Sequence, residues 1–495
     1  MNFTHRSSTQ ISPYFLWVVL LLGVILRARA YLTGRSLWHD EAALARNIVE
    51  RSLAGLARPL DFNQGAPLGF LWVEKLLLLA PGDRDYWLRL FPFLAGIVSL
   101  ILMFPVARRY TRGLGVPIAV GLFAVSGAAI YYSSEAKQYS SDGFAAVLLL
   151  LVAYPCFGLR FSARHWLVLG LVGAGCLWLS HPAVFILAGI GVALSADIFS
   201  TRLWSRFPWI AGLGAFWMIN FLAIYWISLR HLTSNPLLVS YWALSYPPEA
   251  FWLHMDWFAN RFPASLQDIT GVPALLGAAL WVLGGVTMLR RTPLGLILLL
   301  PPLTALAAAS VHSYPFYDRF LLFALPGICL FLGEGMEYLQ YRLGNLKSML
   351  GVVATMGLAV ALFYAPVSQA WHNFRQPDMV EHMKPVLAYV QNSRKPGETI
   401  YVYYGAQPAF IYYAGQFGFK EGDYLLGIAS RRQPDRYLAQ LNELKGRHVW
   451  LIFSHNCYWC QVDEQAYILT RLDAFGTRLA ETYAPKASGY LYDLH

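Results

Sequence analysis

The chain has 495 residues, of which 57% are hydrophobic and only 13% charged, about half the charged fraction of a soluble domain. A chain this apolar cannot cover itself with polar surface, which excludes an ordinary soluble globular protein and makes lipid the solvent. The net charge of +10 does not mark a nucleic-acid binder. No basic stripe interleaves with exposed aromatics, and Lys and Arg gather at the ends of apolar stretches, where membrane orientation demands them.

Stretches apolar enough to cross roughly 30 Å of hydrocarbon are expected at 13–31, 88–107, 116–133, 142–159, 166–180, 183–199, 209–228, 272–289, 293–311, 319–338 and 349–367, about eleven spans. One set of loops carries Arg108, Arg109 and Arg112; Arg160 and Arg164; Arg202 and Arg206; Arg290 and Arg291; and Arg342 and Lys347, with no Asp or Glu. The alternate loops hold Asp40, Glu41, Asp61, Asp83, Asp85, Glu135, Glu249, Asp256, Asp268 and Asp318. The positive-inside rule places the basic set in the cytoplasm. The expected protein is a multi-pass protein of the cytoplasmic (inner) membrane, with a cytoplasmic N-terminus and an extracytoplasmic C-terminal domain. Ala28-Arg29-Ala30 mimics a signal-peptide cleavage site, but Arg27 and Arg29 beside it argue for a retained span.

Two outer segments are long. In the first, 33–87, the pattern predicts a helix over Ala42–Leu56 and another over Leu68–Leu79. The second of these, with Glu74 and Lys75 inside it, is too short and too charged to span, so both are read as interfacial helices. The other long segment, 230–271, is rich in aromatics (Trp242, Tyr246, Trp252, Trp257) suited to the headgroup level. After about 370 charged residues return at ordinary density. Alternating runs at Thr399–Tyr404 and His448–Phe453 read as strands, with helices near 378–393, 433–445 and 462–475. The organisation expected is a transmembrane domain over 1–369 and a small α/β outer-face domain over 370–495.

The sharpest chemical signal is Trp38-His39-Asp40-Glu41-Ala42-Ala43-Leu44-Ala45. Two adjacent carboxylates follow a span at the head of a helix. Such a carboxylate serves as a base toward a hydroxyl, holds a cation, or merely caps the helix, Asp40 being the N-cap in that case. Farther on stand Asp61-Phe62-Asn63-Gln64-Gly65-Ala66-Pro67-Leu68, then Arg89 in Tyr86-Trp87-Leu88-Arg89-Leu90-Phe91, then Tyr131-Tyr132-Ser133-Ser134-Glu135-Ala136-Lys137-Gln138-Tyr139. Cys457 and Cys460 form a CxxC pair. A structural disulfide is the first expectation in an oxidising outer compartment, ahead of a redox pair or a zinc site that His455 would share.

This ordered set, with His312-Ser313-Tyr314-Pro315-Phe316-Tyr317-Asp318-Arg319-Phe320, resembles membrane glycosyltransferases of the protein O-mannosyltransferase and family 39 type. It is most similar to the bacterial branch named for lipopolysaccharide-core galacturonosyltransferases. The match runs over roughly residues 10–340. The resemblance implies a GT-C fold, a polyprenyl-phosphate sugar donor, and an acidic motif at Asp40 and Glu41 with Asp40 catalytic. His39, Gln64, Arg89, Glu135, Lys137, Tyr139 and Arg319 are the implied donor-phosphate or substrate-binding positions. Relatives that add aminoarabinose to lipid A have Glu-Lys before the Pro of the second element. Gln64, Gly65 and Ala66 precede Pro67 here, which removes a charge that could hold metal or phosphate. No cofactor is required by the pattern, and a divalent metal stays open. In Glu135-Ala136-Lys137-Gln138-Tyr139 a Lys replaces the relatives' Arg and meets phosphate as a point charge rather than a fork.

The implied reaction is a single displacement that inverts the anomeric centre. Asp40 takes the acceptor proton, and Arg89, Lys137 and Arg319 neutralise the departing lipid phosphate. Glu41 points about 100° away around the helix, which disfavours a second carboxylate acting as nucleophile. The acceptor is a glycolipid, glycan or protein, with membrane lipid as the surrounding partner. Three alternatives stand beside this. A lipid-linked sugar transporter would carry mid-membrane charges and repeated halves. An oligosaccharyltransferase with a lipid-pyrophosphate donor normally pairs the first-loop acid with a WWD-type motif, which this chain lacks. A non-catalytic scaffold would use the acids only as a cap.

Overall fold

The computed structural model describes residues 13–159, 161–249, 253–344, 349–430, 433, 435–456 and 463–495. The chain opens with α1 (Pro13–Tyr31), α2 (His39–Glu50) and α3 (Leu68–Leu77). It continues through α4 (Arg84–Tyr110), α5 (Gly115–Val125), α6 (Gly127–Tyr132) and α7 (Tyr139–Ala153). Further helices follow to Arg375. Among the described residues eight helices are long and apolar enough to cross a membrane: Tyr14–Tyr31, Arg84–Tyr110, Tyr139–Cys156, Ala183–Thr201, Trp204–Thr233, Ala274–Arg291, Asp318–Leu343 and Gly351–Arg375. The other segments expected to span fall on shorter apolar helices, Gly115–Val125, Ala163–Leu179 and Leu294–Ser310.

The contacts divide the chain into two units. The first takes residues up to Thr33, Leu53–Pro59 and Gly65–Pro377; the second takes Gly34–Ser52, Leu60–Gln64 and Asp378–His495. The C-terminal unit therefore includes the acidic motif and α2, which the sequence reading attached to the transmembrane part.

In the first unit the segment expected as one span over 116–133 is broken at Ser126, between α5 and α6. A break in an apolar setting must have its freed backbone groups satisfied internally. Arg27 supplies this: its guanidinium, fully buried, donates to the carbonyls of Phe123, Ala124 and Gly23, each at 3.1 Å. Ser126 Oγ accepts from Ala129 N at 3.1 Å and donates to Ile269 O at 2.7 Å. Elsewhere helices meet through small residues. A Cβ at Gly284 would stand 1.9 Å from Phe331 O, and one at Gly335 would stand 2.4 Å from Leu280 O, so Ala274–Arg291 and Leu325–Gly344 approach backbone to backbone. The Glu74 side chain of α3 is fully buried, and burial pushes its carboxyl well above the usual carboxylate range. Burial thus favours its neutral form, which lowers the cost of packing a helix with an acid at its centre.

The second unit is a five-stranded sheet of order β2-β1-β3-β5-β4. The strands are β1 (Thr399–Val402), β2 (Tyr424–Leu426), β3 (His448–Ser454), β4 (Thr477–Ala484) and β5 (Ala487–Asp493). β1 runs parallel to both β2 and β3, whereas β5 is antiparallel to β3 and β4. β3 is buried almost throughout, the mark of a central strand covered on both faces. The helices lie at Met383–Ser393, Gln407–Ala414, Asp435–Asn442 and Glu464–Asp473. Buried Glu464 accepts from the hydroxyls of Tyr403 (2.5 Å), Tyr404 (3.0 Å) and Tyr437 (2.5 Å), fastening its helix to the end of β1.

Replacing Arg27 with Leu leaves the Phe123 and Ala124 carbonyls without their donor. It is expected to lower stability by about 2–5 kcal/mol, read as an earlier thermal-inactivation midpoint in detergent. Arg29→Leu is expected to change it by less than about 0.5 kcal/mol.

Candidate functional site

The acidic motif forms the first turn of α2. The backbone begins to wind two residues earlier than a capping Asp40 would require: Trp38 is the N-cap, with extended backbone, and no side chain of its own caps the helix. The alternative of Asp40 as N-cap is thereby corrected, since Asp40 is the second helical residue. The open N–H groups of the first turn are met by two other acids. Glu41, fully buried, reaches back to Trp38 N at 3.3 Å, one half of a capping box. Glu381 Oε2 accepts His39 N–H at 2.9 Å. The pair thus separates by role: Glu41 is a buried capping group, and Asp40 is partly exposed beside it.

Glu381 also organises the surroundings. Its Oε1 lies 2.7 Å from His455 Nδ1, and Ser454 Oγ donates to its Oε2 at 3.4 Å. His455 follows β3 with φ +56°, a left-handed conformation that costs a non-glycine residue about 1 kcal/mol or more. Its ring stacks on that of His39, centroids 4.1 Å apart and 17° between planes. His39 Nδ1 donates to Gly405 O at 2.9 Å, which leaves Nε2 as the basic nitrogen of the neutral ring. Burial, and then the neighbouring His455, hold His39 below the usual histidine range, against the opposing pull of Gly405, Asp40 and Glu381.

Gly405 follows β1 and His455 follows β3. The strand order β2-β1-β3 makes this pair of strand ends the topological switch point of the sheet, where crossovers leave in opposite directions and ligands of α/β sheets bind. Here the crevice receives the head of α2. Three more contacts seat the approach to it. Leu37 N donates to Tyr413 Oη at 2.7 Å, Ser36 N donates to His382 Nδ1 at 3.2 Å, and Lys384 N donates to Ser36 Oγ at 2.9 Å. At the far end of α2, Asn47 exchanges hydrogen bonds with the Asp61 backbone (2.8 and 3.3 Å), and Arg51 pairs with Asp61 at 2.7 Å. Gln64 donates to Phe62 O at 3.3 Å, a local loop contact.

The remaining expected residues lie in the membrane unit. Arg89, Glu135, Lys137 and Tyr139 are all buried. Ser140 Oγ donates to Pro92 O at 2.8 Å, which sets the Glu135–Tyr139 segment on the stretch of α4 that carries Arg89. The Arg319 guanidinium stands 5.4 Å from the Tyr139 ring and 5.3 Å from the Trp242 ring. Tyr132 donates to Asp318 at 3.2 Å and packs edge-on against Tyr139. The structure thus joins Arg319 to Tyr139 directly and brings in Tyr132, Asp318 and Trp242. Cys457 and Cys460 lie outside the described residues. His448, Asp493 and His495 form the group of three His and acid side chains at ligand distances found among the described residues, and neither Asp40 nor Glu41 belongs to it. Glu381 and His382 were not found from sequence: an acid 340 residues downstream leaves no local pattern that ties it to His39.

No family profile matches the chain, and no curated protein matches it. Solved structures do. ArnT from Cupriavidus metallidurans bound to undecaprenyl phosphate aligns with TM-score 0.57 and 13% identity, over 97% of this chain and 98% of that one. The Archaeoglobus fulgidus oligosaccharyltransferase in the apo form aligns with TM-score 0.53 and 12% identity, over 97% and 75%. AglB from the same archaeon, in complex with an inhibitory peptide and a dolichol-phosphate, aligns with TM-score 0.52 and 12% identity, over 97% and 74%. At these identities the likeness shows the fold: this chain has the GT-C membrane architecture with a small C-terminal sheet.

Because burial lowers the His39 pKa in the folded protein, the unfolded chain takes up its proton first as pH falls. The stability His39 contributes is therefore full above about pH 6.5 and declines below it. The thermal midpoint is expected to drop from about pH 7 to about pH 5, with a shallower slope in His39→Asn. Glu381→Ala is expected to cost about 1–3 kcal/mol at neutral pH and Glu381→Gln less, since Gln still accepts the His39 N–H.

Proposed function

We propose that the protein is a glycosyltransferase that moves a sugar from a polyprenyl-phosphate donor to a hydroxyl acceptor on the outer face of the cytoplasmic membrane, with inversion. The observation that carries this reading is the division of labour in the acidic pair. Glu41 and Glu381 cap α2, while Asp40, adjacent and partly exposed, is not the capping acid. A carboxylate that the helix start does not need as a cap is suited to accept the proton of an incoming hydroxyl, a contribution of roughly 10²–10⁴ in rate. His39, locked by Gly405 and His455, positions the turn that carries it. The lipid phosphate leaves as an anion and needs neutralising rather than protonating. Arg89, Lys137 and Arg319 are assigned to that work, with Glu135 and Tyr139 orienting the cations. Gln64 has a loop role. The lipid-phosphate ligands named for the structural relatives support the donor class. The oligosaccharyltransferase relatives keep a lipid-pyrophosphate donor as the second reading.

The test is transfer of radiolabelled sugar from a panel of polyprenyl-phosphate and polyprenyl-pyrophosphate sugars to total envelope lipid and protein. Wild type is expected to label an acceptor from a monophosphate donor. Asp40→Asn, equally expressed and folded, is expected to lose about 10²-fold or more. Lys137→Ala and Arg319→Ala are expected to lose transfer with the fold intact. Full activity in Asp40→Asn would remove the assignment, and labelling only from a pyrophosphate donor would select the second reading.

A further inference from the structure

The C-terminal sheet carries a second convergence of chemistry-bearing side chains, at the opposite end of β3 from the acidic motif. His448 opens β3, and Asp493, the last residue of β5, is its partner directly across the antiparallel ladder. Residues opposite one another in such a ladder present side chains on the same face. His495 lies two residues past Asp493, the interval at which an extended chain returns to that face. Three groups from two chain segments therefore meet by register. His495 Nδ1 is 2.8 Å and His448 Nε2 is 3.5 Å from the same Asp493 oxygen, and one ligand atom from each residue lies within 4.8 Å of the others.

Donor atoms bound tetrahedrally at about 2.0–2.1 Å from one zinc ion stand about 3.3 Å apart. The three groups stand near that spacing, and side-chain rotations would close the set around a shared ion. The other ring nitrogen of His448, Nδ1, lies 3.9 Å from Glu398 Oε1, beyond hydrogen-bond length but close enough for a ring rotation to join them. Glu398 is buried and held by Trp450 Nε1 and Lys395 N, each at 3.0 Å. A carboxylate behind a ligating imidazole orients the ring and raises its basicity. The His448, Asp493 and His495 side chains are 39%, 35% and 61% exposed, so an ion has access and water can complete its coordination.

We infer that His448, Asp493 and His495 form a binding site for a divalent late first-row transition ion, of the zinc, nickel and copper class. Two imidazoles and one carboxylate favour that class over magnesium or calcium, which prefer all-oxygen sets. The ion would tie the first residue of β3 to the chain leaving β5, where the backbone already closes through Gly446 N to Leu494 O (2.8 Å) and Leu494 N to Arg447 O (3.0 Å). The site lies about 20 Å along β3 from the acidic motif, at about 3.3 Å per residue. Its role is to brace the sheet rather than to enter the transfer chemistry, and it stands or falls independently of the function proposed above.

The experiment uses the full chain in detergent, carried on a tag without histidine and stripped with chelator. It is titrated with Zn²⁺ by calorimetry and with Co²⁺ by visible absorption, with Mg²⁺ at the same concentrations. The expected result is one Zn²⁺ per chain, a Co²⁺ d–d band, and a thermal midpoint that rises with Zn²⁺ and not with Mg²⁺. His448→Ala and His495→Ala each abolish all three signals. Glu398→Gln weakens binding about tenfold or more, and His455→Ala keeps it. Metal-free midpoints of the variants, compared with metal-free wild type, separate a lost ligand from a lost fold, and His495→Gln serves if His448→Ala is unstable. No binding by wild type, binding that survives both histidine variants, or equal stabilisation by Mg²⁺ would overturn the site and reduce the cluster to a surface hydrogen-bonded group.

Discussion

Glu381 holds the start of α2. A helix that begins against protein rather than water has N–H groups that something must accept, and Trp38, at the N-cap, has no oxygen in its side chain to offer. Glu381 accepts the His39 N–H with one oxygen and engages the His455 ring with the other. The negative charge at the positive end of the helix adds about 0.3–1 kcal/mol, more where partly buried. With the Tyr413, His382 and Lys384 contacts, this carboxylate makes Gly34–Ser52 part of the C-terminal unit. The orientation of His39, and with it that of Asp40, follows.

The sheet supplies the place where this happens. Because β1 has β2 on one side and β3 on the other, the ends of β1 and β3 form a crevice that strand order alone creates. Gly405 from one strand end and His455 from the other grip the His39 ring from two directions. The left-handed backbone at His455 is the local strain this arrangement carries. Strain of this kind persists where the surroundings over-determine a conformation, and it collects at sites that work. In the membrane unit the corresponding constraint is the Ser126 break. The backbone freed there is answered by a guanidinium from α1.

Much of this was legible in the sequence, for reasons that particular residues make plain. Apolar length marks spans because lipid tolerates little else, so every expected span falls on an apolar helix. The break at Ser126 was not legible, since Gly115–Tyr132 is apolar throughout and the partner that permits the break, Arg27, is about a hundred residues away. In the sheet, β1 and β3 announced themselves as alternating runs rich in β-branched and aromatic residues. β2 is three residues long and β4 is an edge strand carrying Arg478 and Glu481, so neither has the apolar signature of a buried strand. The acidic pair was found from local sequence. Which acid caps and which does not depended on where the helix starts, and on Glu381 from the other end of the chain. Local pattern carries neither.

The measurement that bears most directly on the account is the anomeric configuration of the transferred sugar, read by NMR on the isolated product, together with the lipid released in the same turnover. The account predicts a product inverted relative to the donor, polyprenyl monophosphate released in equal amount, and both formed about 10²-fold or more slowly when Asp40 is Asn. A retained configuration would require a second carboxylate acting as nucleophile and would contradict a single displacement with Asp40 as its base.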